Sequence, residues 1–266
     1  MSRIDQTFKR LKDRFRVALI PFIVAGDPDL SATEALLLKM AEAGADMIEL
    51  GVPFSEPVAD GPTIWNSHQR ALQNGVGLKE ILSMTGRLMD SIPPLILMTY
   101  FKPVSEYGRR DFAKDCKENG IEGVIIPDLS PEDAEVWIGE ARKMNLDTIF
   151  LIDPNSPPER IRWVIRSSRG FIYYASVAGM TGTREKLPEE LESSARRIKE
   201  QTKKPVAIGF GISTPEQVKG VSRFSDGVIV GSAIVKIIEE NVDSPSLVER
   251  VGDFVSSLAE ALKASA

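Results

Sequence analysis

The chain has 266 residues, 42% of them apolar and 27% charged, with a net charge of −5, one cysteine and one histidine. Those proportions describe an ordinary globular protein and exclude a disordered, fibrous or membrane chain. The acidic balance argues against a nucleic-acid partner, which demands a basic face, but not against a small anion, which backbone N–H groups can hold.

The opening stretch, 1–16, is charged and lacks the apolar core of a signal peptide. In it Ile4, Phe8, Leu11 and Phe15 recur at spacings of four, three and four residues, the stripe of a helix expected to close the bottom of a core. No apolar run approaches the roughly 20 residues of a bilayer span, so a soluble cytoplasmic chain with no membrane contact is expected. Eight short apolar or β-branched runs follow, at 17–24, 46–50, 94–100, 122–127, 146–152, 170–175, 204–210 and 226–231. Most show little polar alternation, the mark of strands buried on both faces in a parallel sheet. Amphipathic stretches separate them, among them 31–44, 131–145 and 188–201. Ser31 is read as an N-cap, with Glu34 completing a capping box and Gly44 as the stop.

Eight strand–helix units in a chain of this length predict a closed (β/α)8 barrel, a TIM barrel, with an extra N-terminal helix and one domain over 1–266. A doubly wound sheet would ask for G-x-G-x-x-G after the first strand, where this chain has VAGDPD.

Active sites of such barrels lie at the carboxyl ends of the strands. Glu49 closes the second strand inside an apolar run, and Asp60 follows in its loop; Asp128 and Asp153 close the fourth and fifth. A carboxyl at an apolar mouth should have its pKa raised by desolvation, while a better-solvated Asp60 would stay ionised and stabilise developing positive charge. The bland alternatives are a salt bridge for Glu49 and a turn cap for Asp60. IGFGIS (208–213) and IVGSAI (229–234) both read strand, glycine, helix start, which suits a phosphate held by the loops after the last two strands. Tight turns with capped helices are the alternative. The long stretch 173–188 reads as a lid or as a surface excursion. Cys116 is read as structural, and His68 as a surface helix residue.

Glu49 with PFSEPVADGP, the YYAS…GMTG loop and the paired GFGIS…GSAIVK segments resemble the α subunit of tryptophan synthase, and the likeness runs over essentially the whole chain. The resemblance implies a lyase that cleaves indole-3-glycerol phosphate to indole and glyceraldehyde 3-phosphate by a retro-aldol reaction, with no metal and no cofactor of its own. It implies Glu49 as the acid/base and Asp60 as the group facing the indole N–H. Gly182, Phe210, Gly211, Gly231 and Ser232 would surround the phosphate, and Thr181 would be the lid threonine. Phe22, Ile64, Met98, Tyr100 and Tyr173 would line the indole pocket or its neighbourhood, with barrel core as the alternative.

The resemblance further implies a pyridoxal-phosphate-dependent β subunit as partner, in an α2β2 tetramer with an internal indole tunnel. On the partner-facing loops this chain departs from the family: Glu56 where aspartate is usual, Lys102 for asparagine, Ser130 for proline, and Trp65 for glutamine close behind. The expectation is retained cleavage with an altered β contact, or a stand-alone indole-releasing lyase. Three rivals remain open: a Schiff-base aldolase through Lys102, a divalent-metal lyase using Glu49, Asp60, Asp128 or Asp153, and a non-catalytic activating subunit.

Overall fold

Strand alternation decides what fills the middle of this molecule. In β1 (Ala18–Val24) every residue is buried, because Ala18, Ile20, Phe22 and Val24 face the inside of a barrel while Leu19 and Ile23 face the surrounding helices. The computed structural model describes residues 1–129, 131–176, 182, 187–209 and 211–263. The remaining strands are β2 (Ile48–Gly51), β3 (Leu95–Met98), β4 (Ile121–Ile125), β5 (Asp147–Ile149), β6 (Leu151–Ile152), β7 (Ile172–Ala175), β8 (Val206–Gly209) and β9 (Gly227–Val230). They lie in the order β5-β4-β3-β2-β1-β9-β8-β7-β6, parallel at each pairing.

Among the described residues nine strands thus stand where eight were expected, because the predicted strand at 146–152 is parted at Phe150. Its lower half, β5, pairs with β4, and its upper half, β6, pairs with β7. The Phe150 ring is buried edge-on against Trp163, 4.7 Å between centroids. β1 changes partner in the same way: Ala18–Pro21 pair with β9, and Phe22–Val24 with β2. The barrel closes through these two handovers.

Helices α1 (Arg3–Lys12), α2 (Leu30–Glu42), α3 (Pro62–Gln73), α4 (Leu78–Leu88), α5 (Phe101–Tyr107) and α6 (Arg109–Glu118) cover the first half. Helices α7 (Pro131–Lys143), α8 (Pro158–Ser167), α9 (Leu191–Glu200), α10 (Pro215–Ser222), α11 (Ser232–Glu239) and α12 (Leu247–Lys263) cover the second. Among the described residues none of these is long and apolar enough to cross a membrane. The extra helix α1 closes the bottom of the barrel with Ile4, Phe8 and Leu11, as its stripe predicts. The fourth residue of that stripe does not join in: Phe15 lies past the helix end at φ 55° and is 89% exposed. Ser2 caps α1, accepting the Asp5 N–H at 3.1 Å, and its hydroxyl donates to Asp147 at 2.5 Å, which ties the plug to β5. The cap of α2 is Asp29 rather than Ser31; its carboxylate accepts the Ala32 N–H at 2.7 Å, and the helix begins two residues before the start that a Ser31 cap would set. Cys116 is fully buried in α6, in keeping with a structural role.

The helix that follows the second strand is held from several sides. Arg70 of α3 donates to both carboxylate oxygens of fully buried Asp27, at 2.7 and 2.8 Å, and to Glu239 of α11 at 3.1 Å. Ser67 donates to Asp27 as well, and Asn66 reaches Glu239 at 2.9 Å. α3 is thereby bolted to the loop after β1 and to the end of α11. Removing the guanidinium strands a buried carboxylate. Arg70→Ala is expected to lower stability by about 3 kcal/mol in urea unfolding, with Arg70→Lys recovering only part because a lysine cannot fork across both oxygens.

Candidate active site

Met47 faces the barrel interior, and Ile48 and Leu50 face the helices, so the alternation of β2 leaves Glu49 pointing inward. It lies in register with Phe22 on one side and Ile96 on the other. Glu49 is 1% exposed, and its Oε2 has no hydrogen-bond partner. Desolvation, reinforced by the charge of Asp60, pushes its carboxyl up to about 8. At neutral pH Glu49 therefore carries a proton. The salt-bridge alternative has no support among the described contacts.

Asp60 corrects an expectation. It is not well solvated on its loop but 4% exposed. Fixed donors stand where water was expected: the Tyr100 hydroxyl donates to Oδ2 at 2.8 Å, and His68 Nε2 lies 3.2 Å from the same oxygen. Oδ1 is buried with no partner. Burial, followed by the charge of Asp60 and their hydrogen bond, drives the Tyr100 hydroxyl far above its ordinary range, so it remains a donor. Its oxygen accepts the Ala59 N–H at 3.3 Å, and its ring stacks on Phe54 at 4.9 Å. Tyr100 thus stands behind Asp60 and does not line the cleft.

His68 is the residue the sequence reading missed. It was expected on the surface, yet it is 2% exposed and bonded to Asp60. A usable signal existed: His68 follows Ile64 by four residues on α3, so a helix that turns Ile64 into the pocket turns His68 the same way.

One cleft brings together Glu49, Asp60, Phe22, Ile64, Met98 and Tyr173 with Gly211, Gly231 and Ser232. Ile212 and Ile229, which the sequence did not single out, complete its apolar wall. Gly209 makes room for Tyr173, since a Cβ there would collide with the phenol oxygen. Burial, then Glu49 and Asp60, keep the Tyr173 hydroxyl protonated well past its usual range. Gly211 turns at φ 81°, in the left-handed region that favours glycine. Gly231 is the N-cap of α11 and has no side chain over the helix end; the Ile234 N–H already donates to the Gly231 carbonyl at 2.8 Å, so the N–H groups of Ser232 and Ala233 are the ones left available to an anion.

Gly182 is not among the described residues lining the cleft. Thr181, Phe210 and Ser130 lie outside the described residues, as does most of the proposed lid. Glu56 and Lys102 are exposed, and Trp65 is 45% exposed. Asp128 accepts the Phe101 N–H at 2.9 Å and Asp153 accepts the Asn155 N–H at 2.7 Å; neither is among the residues lining the cleft. Among the described residues no group of three or more His, Cys, Asp or Glu side chains is placed to hold a metal ion.

A parallel (β/α)8 barrel with a buried acid beside a carboxylate, over an apolar floor and opposite backbone suited to an anion, defines a TIM-barrel enzyme of proton transfer on an apolar, anion-bearing substrate. The family model described as tryptophan synthase alpha chain matches residues 8–263, and the chain belongs to that family. It is 48% identical over 263 residues to the tryptophan synthase alpha chain of Geobacter sulfurreducens, covering 98% of this chain and 99% of that one. It is 43% identical over 261 residues to the Arabidopsis thaliana alpha chain, covering 97% and 95%. The solved structure of tryptophan synthase subunit alpha from Legionella pneumophila superposes with a TM-score of 0.92 at 36% identity, covering 99% of each chain.

The native acid holds its proton to about pH 8, whereas a glutamate in its ordinary state releases it near 4.5. The unfolded chain therefore gives up that proton first, and folding stability falls as pH rises through this window. Glu49→Gln is expected to gain on the wild type by roughly 5 kcal/mol between pH 4.5 and 8 in urea titrations, and to hold a constant offset outside it. Parallel curves across the whole range would contradict the neutral-acid assignment.

Proposed function

We propose how this chain, a carbon–carbon lyase of the tryptophan synthase alpha chain family, cleaves indole-3-glycerol phosphate to indole and glyceraldehyde 3-phosphate in tryptophan biosynthesis. The observation that carries the reading is the buried carboxyl of Glu49, with no hydrogen-bond partner at Oε2, sharing an apolar cleft with Asp60. The indole ring lies among Phe22, Ile64, Met98 and Tyr173, where burying apolar surface favours it by about 25 cal/mol per Å2. The phosphate sits against Gly211, Gly231, Ser232 and the start of α11; the resemblance assigns Gly182 to the same group, as it does Phe210 and Thr181, which lie outside the described residues.

Glu49 gives its proton to indole C3. The positive charge that appears on the ring spreads to the ring nitrogen, whose N–H faces the free Oδ1 of Asp60. The bond from C3 to the hydroxyl-bearing carbon then breaks, and its electron pair returns to the ring. The hydroxyl proton passes to the Glu49 carboxylate as the aldehyde forms, so the acid is restored. The burial that makes Glu49 a neutral acid thus also makes it a competent base once the proton has left. The chain's own groups account for each proton transfer, with no cofactor or metal; pyridoxal phosphate is assigned to a β partner alone.

The partner is a β subunit, in an α2β2 assembly of the cytoplasm, and it meets the mouth of the barrel. Exposed Trp65 and Val58 stand on the loop after β2 and the helix it enters, as does Glu56, with Lys102 exposed in α5; Ser130, assigned to the same contact by the family resemblance, lies outside the described residues. These substitutions alter the contact while leaving the two carboxyls in place.

Glu49→Gln is expected to fold and bind phosphate ligands but to release indole about 10² to 10⁴ times more slowly, with Asp60→Asn also severely impaired. The wild-type rate should fall about tenfold per pH unit above pH 8, where Glu49 loses its proton. Wild-type turnover in either variant would refute the assignment. Mixing with a conventional β subunit is expected to give weak activation; strong activation would dismiss the altered contact.

A further inference from the structure

His68, the only histidine of the chain, takes no part in the chemistry above, yet it grips both ends of the loop that carries it. Its Nδ1 accepts the backbone N–H of Phe54 at 3.2 Å, and its Nε2 lies 3.2 Å from Oδ2 of Asp60. A ring nitrogen that accepts an amide N–H bears no proton of its own, so the proton of the neutral ring is on Nε2 and is donated to Asp60. Tyr100 donates to that same oxygen at 2.8 Å. With two donors on Oδ2, Oδ1 is left buried and unpartnered, on a residue that lines the cleft. The ring bridges Phe54, at the start of the loop, and Asp60, at its end, from a helix that Arg70 bolts to Asp27.

We propose that His68, as the neutral Nε2–H tautomer, is the positioning residue for Asp60. Together with Tyr100 it saturates Oδ2, turns Oδ1 to the substrate, and fixes loop 52–61 to α3. This rests on the reading of Asp60 as the partner of the indole N–H. A carboxylate torsion is intrinsically broad and close to two-fold; holding one oxygen leaves the other aimed before charge develops, with no reorganisation during the reaction.

The sole imidazole makes the test direct. Nitrogen NMR of histidine-labelled wild-type protein at neutral pH is expected to show one signal pair of the Nε2–H tautomer. The Nδ1–H tautomer, or the averaged signal of a free side chain, overturns the proposal. Two near-isosteric variants separate the two contacts. The amide nitrogen of glutamine occupies the place of Nε2, and the amide oxygen of asparagine that of Nδ1. His68→Asn, which keeps the Phe54 contact and loses the donor to Asp60, is expected to lower kcat about tenfold or more with KM within about twofold. His68→Gln is expected to restore most of that loss. An unimpaired kcat in H68N, or an equal loss in both variants, overturns the proposal. Asp60→Asn, measured alongside, tells the two readings apart. If D60N is inactive and H68N unimpaired, only the role of His68 falls. If D60N turns over like the wild type, the role of Asp60 falls and that of His68 with it.

Discussion

Sealing a carboxyl group inside a barrel without a partner costs several kcal/mol if the group is charged, and the arrangement around Glu49 answers to that cost. The strand that bears it is fixed between β1 and β3, so the side chain cannot reach solvent by moving alone. The group stays neutral instead, and the apolar side chains that enforce this are also the floor on which an aromatic ring can rest. Stability and chemistry draw on one cause here. The same desolvation that penalises the charged acid raises its affinity for a proton into the range where it can be both given and taken near neutrality.

Asp60 meets burial by the opposite route. Tyr100 and His68 supply hydrogen bonds that hold its oxygen in place, and Tyr100 is itself held by Ala59 and by the ring of Phe54. Two carboxyls in one cleft are thereby kept unlike, one by the absence of polar neighbours and the other by their presence. The scaffold for the second is α3, which presents Ile64 to the cleft and His68 to Asp60 while Arg70 and Asn66 anchor it to Asp27 and Glu239. A helix tethered on several sides holds a side chain more closely than a loop could.

Much of this was legible beforehand, for definite reasons. Unbroken apolar runs announce strands buried on both faces, and a carboxylate among them, as in 46–50, is conspicuous because burial is costly. What escaped was tertiary. The environment of Asp60 depends on Tyr100, 40 residues away, and the buried pair of Asp27 and Arg70 spans 43. Nothing local marks such partners. The cap of α2 was misplaced because Asp29 and Ser31 are both good caps, and the choice between them rests on chain entry. The break at Phe150 follows from barrel closure, since a tilted strand must change neighbours partway along its length, and an apolar run carries no sign of where.

Those two changes of neighbour have a consequence for the mouth. Above the handover points, the upper part of β1 belongs with β2, β3 and β4, whereas β6 belongs with β7, β8 and β9. Glu49 stands in the first sector, while the turns at Gly211 and Gly231 stand in the second. A molecule reaching from the acid to those turns acts as a cross-brace between staves that share few rungs at the rim, so occupancy and rim rigidity are one event seen from two sides.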